Sequence, residues 1–221
     1  MTDKALVVLS GGQDSTTCLY WAVNRFGIGN VSSVTFDYGQ RHRIELECAR
    51  QVADFANVPN AMLPIDTFAA LGGNALTDSS IEVMPGVEDG TGLPNTFVPG
   101  RNLIFLTFAA AYAYQRDIGH IVTGVAQTDY SGYPDCREET MTALQSAIRF
   151  GMESELTIHT PLMNFSKKQT VELALALTAL PAMALTHTCY NGERPPCGSC
   201  PACELRAKGF REAGVVDPLT L

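Results

Sequence analysis

Two stretches of this chain bring together side chains whose types and spacing can do chemistry. The first runs Leu9-Ser10-Gly11-Gly12-Gln13-Asp14-Ser15-Thr16-Thr17 and joins an apolar run to a helical pattern. Adjacent glycines let backbone approach a ligand with no Cβ in the way. Successive N–H groups at the start of a helix form a nest for an anion, and the helix dipole adds to it. The hydroxyls of Ser10, Ser15, Thr16 and Thr17 add donors suited to phosphate oxygens. The Asp14 carboxylate is a poor direct neighbour for phosphate, so it is expected to position Mg²⁺ or to order the loop. The stretch is neither GxxxxGK[ST] nor GxGxxG.

The second stretch is Cys189-x7-Cys197-x2-Cys200-x2-Cys203. Four thiolates suit a tetrahedral zinc ion, and two-residue gaps let neighbouring sulfurs converge on it. Gly192, Pro195, Pro196, Gly198 and Pro201 supply the tight turns of such a knuckle. With four protein ligands the zinc is expected to be structural and to contribute to folding. An iron–sulfur cluster and a redox-active CxxC pair are the alternatives. Cys18 and Cys48 read as small apolar side chains on helix faces.

The elements that must position these groups alternate. Short apolar runs at Ala5–Leu9, Val31–Phe36, Ala61–Ile65, His120–Thr123 and Leu156–His159 read as strands. Helical spacing covers Ser15–Phe26, Arg43–Asn57, Asn102–Arg116, Arg137–Phe150 and Ser166–Leu180, with Ser166 as an N-cap. Alternation of this kind predicts an α/β fold: a doubly wound, parallel, five-stranded sheet with helices on both faces. Ligands of such sheets bind at the carboxyl ends of the strands. Residues 66–100 hold several Gly and Pro and little periodicity, and are expected to form a mobile insertion. Residues 1–187 then read as one α/β domain, and 188–221 as a small C-terminal zinc knuckle that ends the chain.

Composition narrows the class. The 221 residues are 46% hydrophobic, enough for a continuous core, and 17% charged, too few for a disordered chain. A net charge of -8 argues against a partner held through broad phosphate electrostatics, so no nucleic-acid partner is expected. Apolar stretches such as Leu103–Tyr114 fall short of a membrane span. The start Met-Thr-Asp-Lys lacks a signal-peptide pattern, so a cytoplasmic protein with no membrane partner is expected.

The hexamer Ser10–Ser15 matches SGGxDS, and the chain thereby resembles the PP-loop ATP pyrophosphatases, whose fold is adenine nucleotide alpha hydrolase-like. Further stretches narrow the resemblance to the 7-cyano-7-deazaguanine synthase family. They are Phe36–His42, Val98–Asn102, Asp129-Tyr130-Ser131-Gly132-Tyr133-Pro134-Asp135-Cys136-Arg137, Pro161–Lys167 and Thr188–Gly192 together with the cysteines. The resemblance covers nearly the whole chain in order. It implies ATP with magnesium on the stretch Leu9 to Leu19, including Gln13, Cys18 and Leu19, and catalytic roles for Asp14, Arg101 and Lys167. It implies that Arg41, His42, Asp129, Tyr133, Asp135 and Arg137 bind a 7-carboxy-7-deazaguanine substrate. In that loop, Asp129 or Asp135 would accept from the base edge, Tyr130 or Tyr133 would stack, and Arg137 would pair with the carboxylate. The loop aspartates are expected to be exposed. A homodimer acting on small molecules, with ammonia as the nitrogen donor, is implied as well.

Two other classes compete. An ATP-dependent tRNA sulfur-transfer enzyme calls for a basic face and a catalytic cysteine pair near the loop. An ATP-sensing module of the wider fold needs neither the Asp129–Arg137 loop nor the cysteine cluster.

Overall fold

The computed structural model describes residues 2–40, 43–68, 93, 95–127 and 133–220. Five strands, β1 (Thr2–Val8), β2 (Val31–Asp37), β3 (Asn60–Pro64), β4 (Ile118–Val122) and β5 (Thr157–His159), form one sheet in the order β3-β2-β1-β4-β5. Every pairing is parallel, with Val7 opposite Ser33 on one side and Val122 on the other. The expected strands are all present, displaced by at most a few residues at their ends.

Burial on both faces explains the apolar runs of the central strands, and the buried hydroxyls of β2 are satisfied, Ser33 Oγ donating to Pro59 O and Thr35 Oγ1 to Leu9 O. Alternate side chains of β1 point opposite ways. Leu6, with Val34 and Ile121, packs under α3 (Arg101–Tyr114) and α4 (Glu138–Met152). Ala5 and Val7 pack under α1 (Gln13–Phe26) and α2 (Ile44–Phe55). The sheet is therefore covered on both faces.

Helix α5 (Lys167–Ala176) begins where the sequence places it. Ser166 Oγ accepts from Gln169 N, and the Gln169 side chain accepts from Ser166 N at 2.8 Å, a complete capping box. A short α6 (Leu180–Met183) follows.

The chain does not end on the cysteines. They lead into α7 (Pro201–Ala213), with Cys200 as its N-cap, Pro201 at its start and Gly214 in the left-handed conformation at its end. Val171 and Ala174 of α5 pack on Phe210 of α7. Arg206 of α7 is buried and donates to both carboxylate oxygens of Asp217, at 2.6 and 2.7 Å. It also donates to Thr186 Oγ1 and to Met183 O. The C-terminal segment is thus clamped to the α5–α6 side. No helix among the described residues is long and apolar enough to cross a membrane.

Candidate active site

In the order β3-β2-β1-β4-β5 the chain reverses direction beside β1: it leaves to β2 on one side and returns to β4 on the other. The loops after β1 and β4 part at that switch point and open a crevice at the strands' carboxyl ends. A cavity of about 320 Å³ lies there, in the range of small-molecule sites. Leu9, Ser10, Gly12, Gln13, Asp14 and Ser15 line it from one side and Thr123–Ala126 from the other, with Lys167 and Arg101 also on its wall.

The loop after β1 is folded by its own residues. Gly11 has φ +81°, and a Cβ there would stand 2.4 Å from Glu45 O and 2.7 Å from Ala49 N. Only glycine lets the loop lie on α2 this closely. Gly12 differs, since a Cβ there would meet nothing nearer than His187 O at 3.5 Å. Gly11 therefore serves the fold, and Gly12 leaves open space for a ligand. Ser15 Oγ donates to Gly12 O and accepts from Ser10 N, both at 3.2 Å. Gly12 is the N-cap of α1 and no side chain caps that end. Its first N–H groups face the cavity as an anion nest.

Lys167, the first residue of α5, reaches across to Asp14: Nζ donates to Oδ2 at 2.6 Å. The second oxygen, Oδ1, is buried with no hydrogen-bond partner. A buried acceptor with an unmet requirement is expensive unless something arrives to meet it, and a hydrated divalent cation fits that need. Behind Lys167, the α7 backbone lies so close that a Cβ on Gly209 would come within 2.9 Å of Lys167 Cβ.

Arg101, at the start of α3, is half-buried. Burial works against its charge, but Tyr38, Tyr133, Asp135 and Tyr190 outweigh that and hold its pKa above the ordinary arginine value. Glu45, in the first turn of α2, faces the same space. Burial pushes its carboxyl up to about 7, and the attraction of Arg101 pulls the other way. Both side chains line the cavity.

The structure corrects the expectation of an exposed Asp135. This residue is 4% exposed, and its Oδ2 accepts from Asn102 N at 2.9 Å. It caps α3 from a distant loop and so fixes Arg101, one residue earlier. Tyr133 lines the cavity, its hydroxyl 2.6 Å from Thr96 Oγ1. Arg137 does not line the cavity: its side chain is 51% exposed, with Glu139 at 4.0 Å. Gly11, Thr16, Thr17, Cys18 and Leu19 do not line it either. Cys18 and Leu19 belong to the core under α1, as helical periodicity carries every third or fourth residue onto the sheet. Arg41, His42 and Asp129 lie outside the described residues, as does most of 66–100.

Several cavity residues escaped the sequence reading. Tyr38 and Gln40 follow β2 at the ligand-binding edge, the position that signals them. The Gln40 side chain folds back, accepting from Tyr38 N at 2.9 Å. His187, Thr188 and Tyr190, just before and within the cysteine segment, also form the wall. His187 N donates to Gly11 O at 2.9 Å, so the approach to the cysteines is tied to the Gly-rich loop.

The four cysteine sulfurs all lie within 4.8 Å of one another, and the cluster could hold a metal ion. Ligands about 2.3 Å from a tetrahedral centre stand about 3.8 Å apart, and Cys197 and Cys203 are 3.9 Å apart. Backbone N–H groups of Tyr190, Cys197 and Cys200 point at sulfurs of the set, as thiolate ligands require. N–H groups of Ser199 and Cys200 help pull the Cys197 thiol down to about 6, while burial pushes Cys200 and Cys203 up. A cation among the sulfurs removes that penalty.

Fold and site together define a doubly wound α/β protein of the PP-loop type. The chain belongs to the family described as Queuosine biosynthesis protein QueC, whose family model matches residues 4–214. The 7-cyano-7-deazaguanine synthase of Chromobacterium violaceum is 70% identical over 98% of this chain and 93% of that protein. The enzyme of the same name from Laribacter hongkongensis is 64% identical, over 98% of this chain and 94% of that one. A solved structure described as a predicted subunit of tRNA methyltransferase from Methanocaldococcus jannaschii shares the fold. Its TM-score is 0.50 at 17% identity, covering 78% of this chain and 74% of that one.

Proposed function

We propose that the chain is an ATP-dependent carbon–nitrogen ligase. It converts 7-carboxy-7-deazaguanine and ammonia to 7-cyano-7-deazaguanine in queuosine biosynthesis. The observation that carries this reading is the 70% identity to a relative of that name over nearly the whole chain, with a cavity formed by the matching motifs.

The chemistry explains the cavity. A carboxylate resists ammonia because it is anionic and its oxygen leaves badly. Joining that oxygen to a phosphorus of ATP breaks a phosphoanhydride bond, releases pyrophosphate or ADP, and creates a good leaving group. Ammonia displaces that group as AMP or phosphate and loses a proton to give the amide. Activating the amide oxygen in the same way with a second ATP lets it depart as AMP or phosphate, and loss of the two amide protons leaves the nitrile. The protein's part is positioning and charge stabilisation. N–H groups of the Gly12–Ser15 turn hold the ATP phosphates, and Lys167 neutralises charge on the transferred or departing group. Asp14, with Oδ1 open, is the residue to hold magnesium, which supplies further phosphate neutralisation when bound. Arg101 keeps a permanent positive charge on the substrate side.

In this reading residues 1–187 bind ATP and residues 188–221 carry one zinc on Cys189, Cys197, Cys200 and Cys203. The four sulfurs, all within 4.8 Å of one another, suit a single tetrahedral ion such as zinc, and the knuckle holds His187–Tyr190 against the loop. Exposed Phe108, Tyr114 and Phe150 on α3 and α4 support a homodimer, which light scattering tests. The purified protein, given ATP, magnesium, ammonium and 7-carboxy-7-deazaguanine, yields the nitrile by mass spectrometry. Protein that binds ATP yet leaves the acid unchanged refutes the reading.

A further inference from the structure

Glu45 is the acid that the reaction above leaves unused. It lines the cavity beside Tyr38 and Arg101. Among the described residues its carboxyl has no hydrogen-bond or salt-bridge partner; its one favourable neighbour is the charge of Arg101. A half-buried carboxyl on a cavity wall, with no protein donor beside it among the described residues, is free to accept hydrogen bonds from a ligand there. Asp14, the cavity's other acid, already has Lys167.

The two bases that enter this cavity differ at their edges. A guanine-type edge presents an exocyclic amine, then a ring N–H, then a carbonyl: two donors and an acceptor. An adenine edge presents an amine beside a bare ring nitrogen, whose lone pair would face a carboxylate unfavourably. A carboxylate next to a fixed guanidinium complements the first edge, because guanidinium only donates and ionised carboxyl only accepts. Flat side chains stand around them: Phe105, Tyr133 and Tyr190 line the same space, and aromatic faces suit a planar ring.

We propose that Glu45 and Arg101 together read the pyrimidine edge of the deazaguanine. Glu45 accepts from the exocyclic amine and the ring N–H, and Arg101 donates to the carbonyl. Glu45 is thereby a specificity-determining residue, and the inference rests on the substrate class proposed above.

The test measures binding, so it does not depend on turnover. 7-Carboxy-7-deazaguanine and the analogue lacking the exocyclic amine are titrated by calorimetry into the protein with a non-hydrolysable ATP analogue. Wild type should prefer the amine-bearing acid by at least about tenfold, the scale of a charge-assisted hydrogen bond. Glu45→Gln should weaken that acid by a similar factor, erase the preference and leave affinity for the ATP analogue unchanged. Glu45→Asp, which keeps the carboxylate, should retain part of the preference; it serves as the second variant if the glutamine form folds poorly. Unchanged affinity and preference in Glu45→Gln would overturn the assignment. So would a variant that loses only kcat, which would place Glu45 in proton transfer with ammonia instead. Wild type that binds both acids with the expected preference but forms no nitrile would sink the reaction and leave this recognition standing.

Discussion

Lys167 Nζ donates to Asp14 Oδ2 at 2.6 Å and so joins the starts of α5 and α1 through two residues 153 apart in sequence. Both side chains are partly open to the cavity, at 16% and 27% exposure, which limits what the pair adds to stability to about 1 kcal/mol. Its value lies in placing a cation and an acceptor beside the phosphate nest. Lys167→Ala should lower turnover by roughly 100-fold or more, the scale of losing one electrostatic group at a reacting centre, while melting changes little. Gly209→Ala should also lower turnover, although alanine favours helix, because its Cβ would press on Lys167 Cβ at 2.9 Å and O at 3.0 Å. Steady-state kinetics beside thermal melts check both. A Gly209→Ala enzyme with wild-type kcat would mean that α7 does not set Lys167.

Neighbouring glycines of the loop should fail in different ways. Gly11→Ala meets positive φ and a backbone oxygen at 2.4 Å, so it should destabilise the fold by several kcal/mol. At Gly12 an added Cβ would make only ordinary contacts, with His187 O at 3.5 Å and Ser10 Oγ at 3.6 Å, so Gly12→Val should fold yet lose nucleotide binding. Calorimetric titration with ATP separates them. ATP binding at wild-type strength by Gly12→Val would remove the loop from the phosphate site.

Most of the fold and part of the site were legible in the sequence, for identifiable reasons. Apolar runs bounded by Gly or polar residues located the strands, since buried parallel strands must be apolar on both faces. Ser166 announced the start of α5 as an N-cap, and the cysteine spacing announced the cluster. Strand order could not be read, because alternation says that helices cross over but not to which side. Helix α7 was hidden behind the Gly- and Pro-rich cysteine segment, although Pro201 and Gly214 mark its two ends. Asp135 looked like a loop aspartate because its partner, Asn102 N, is distant in sequence. Nothing in the sequence neighbourhood of Glu45 singles it out. Only the approach of α3 makes it part of a pocket.

One zinc per chain should be found by elemental analysis, and its removal should reach beyond the cysteines. His187 N is bonded to Gly11 O, and Thr188 and Tyr190 line the cavity. A strong chelator, or Cys200→Ala, should therefore lower the melting temperature and ATP affinity together. Iron in place of zinc would contradict the assignment, and intact ATP affinity in fully apo protein would contradict the coupling.

Glu45 also fixes a sign for stability against pH. Its carboxyl lies at about 7 in the folded protein and near the ordinary 4.5 when unfolded. Between those values the folded state holds the extra proton, so this residue's contribution falls as pH rises from about 4.5 to 7 and is level above that. Glu45→Gln removes the cost of the buried charge. Relative to wild type it should be more stable at pH 8, by up to about 3 kcal/mol, and nearly equal at pH 4. Denaturant melts at both values check it. A variant less stable than wild type at pH 8 would show that attraction to Arg101 outweighs burial.

The central claim is that ATP activates the substrate carboxylate at this cavity, and the most direct measurement follows the carboxylate oxygens. 7-Carboxy-7-deazaguanine carrying isotopically heavy oxygen at both carboxyl positions is turned over with ATP, magnesium and ammonium. The phosphorus-containing products are then analysed by mass spectrometry. The account predicts that both heavy oxygens leave as phosphorus–oxygen bonds, in AMP or in phosphate, as the unlabelled nitrile appears. Nitrile formed with the heavy oxygen released to water, and none on phosphorus, would contradict it.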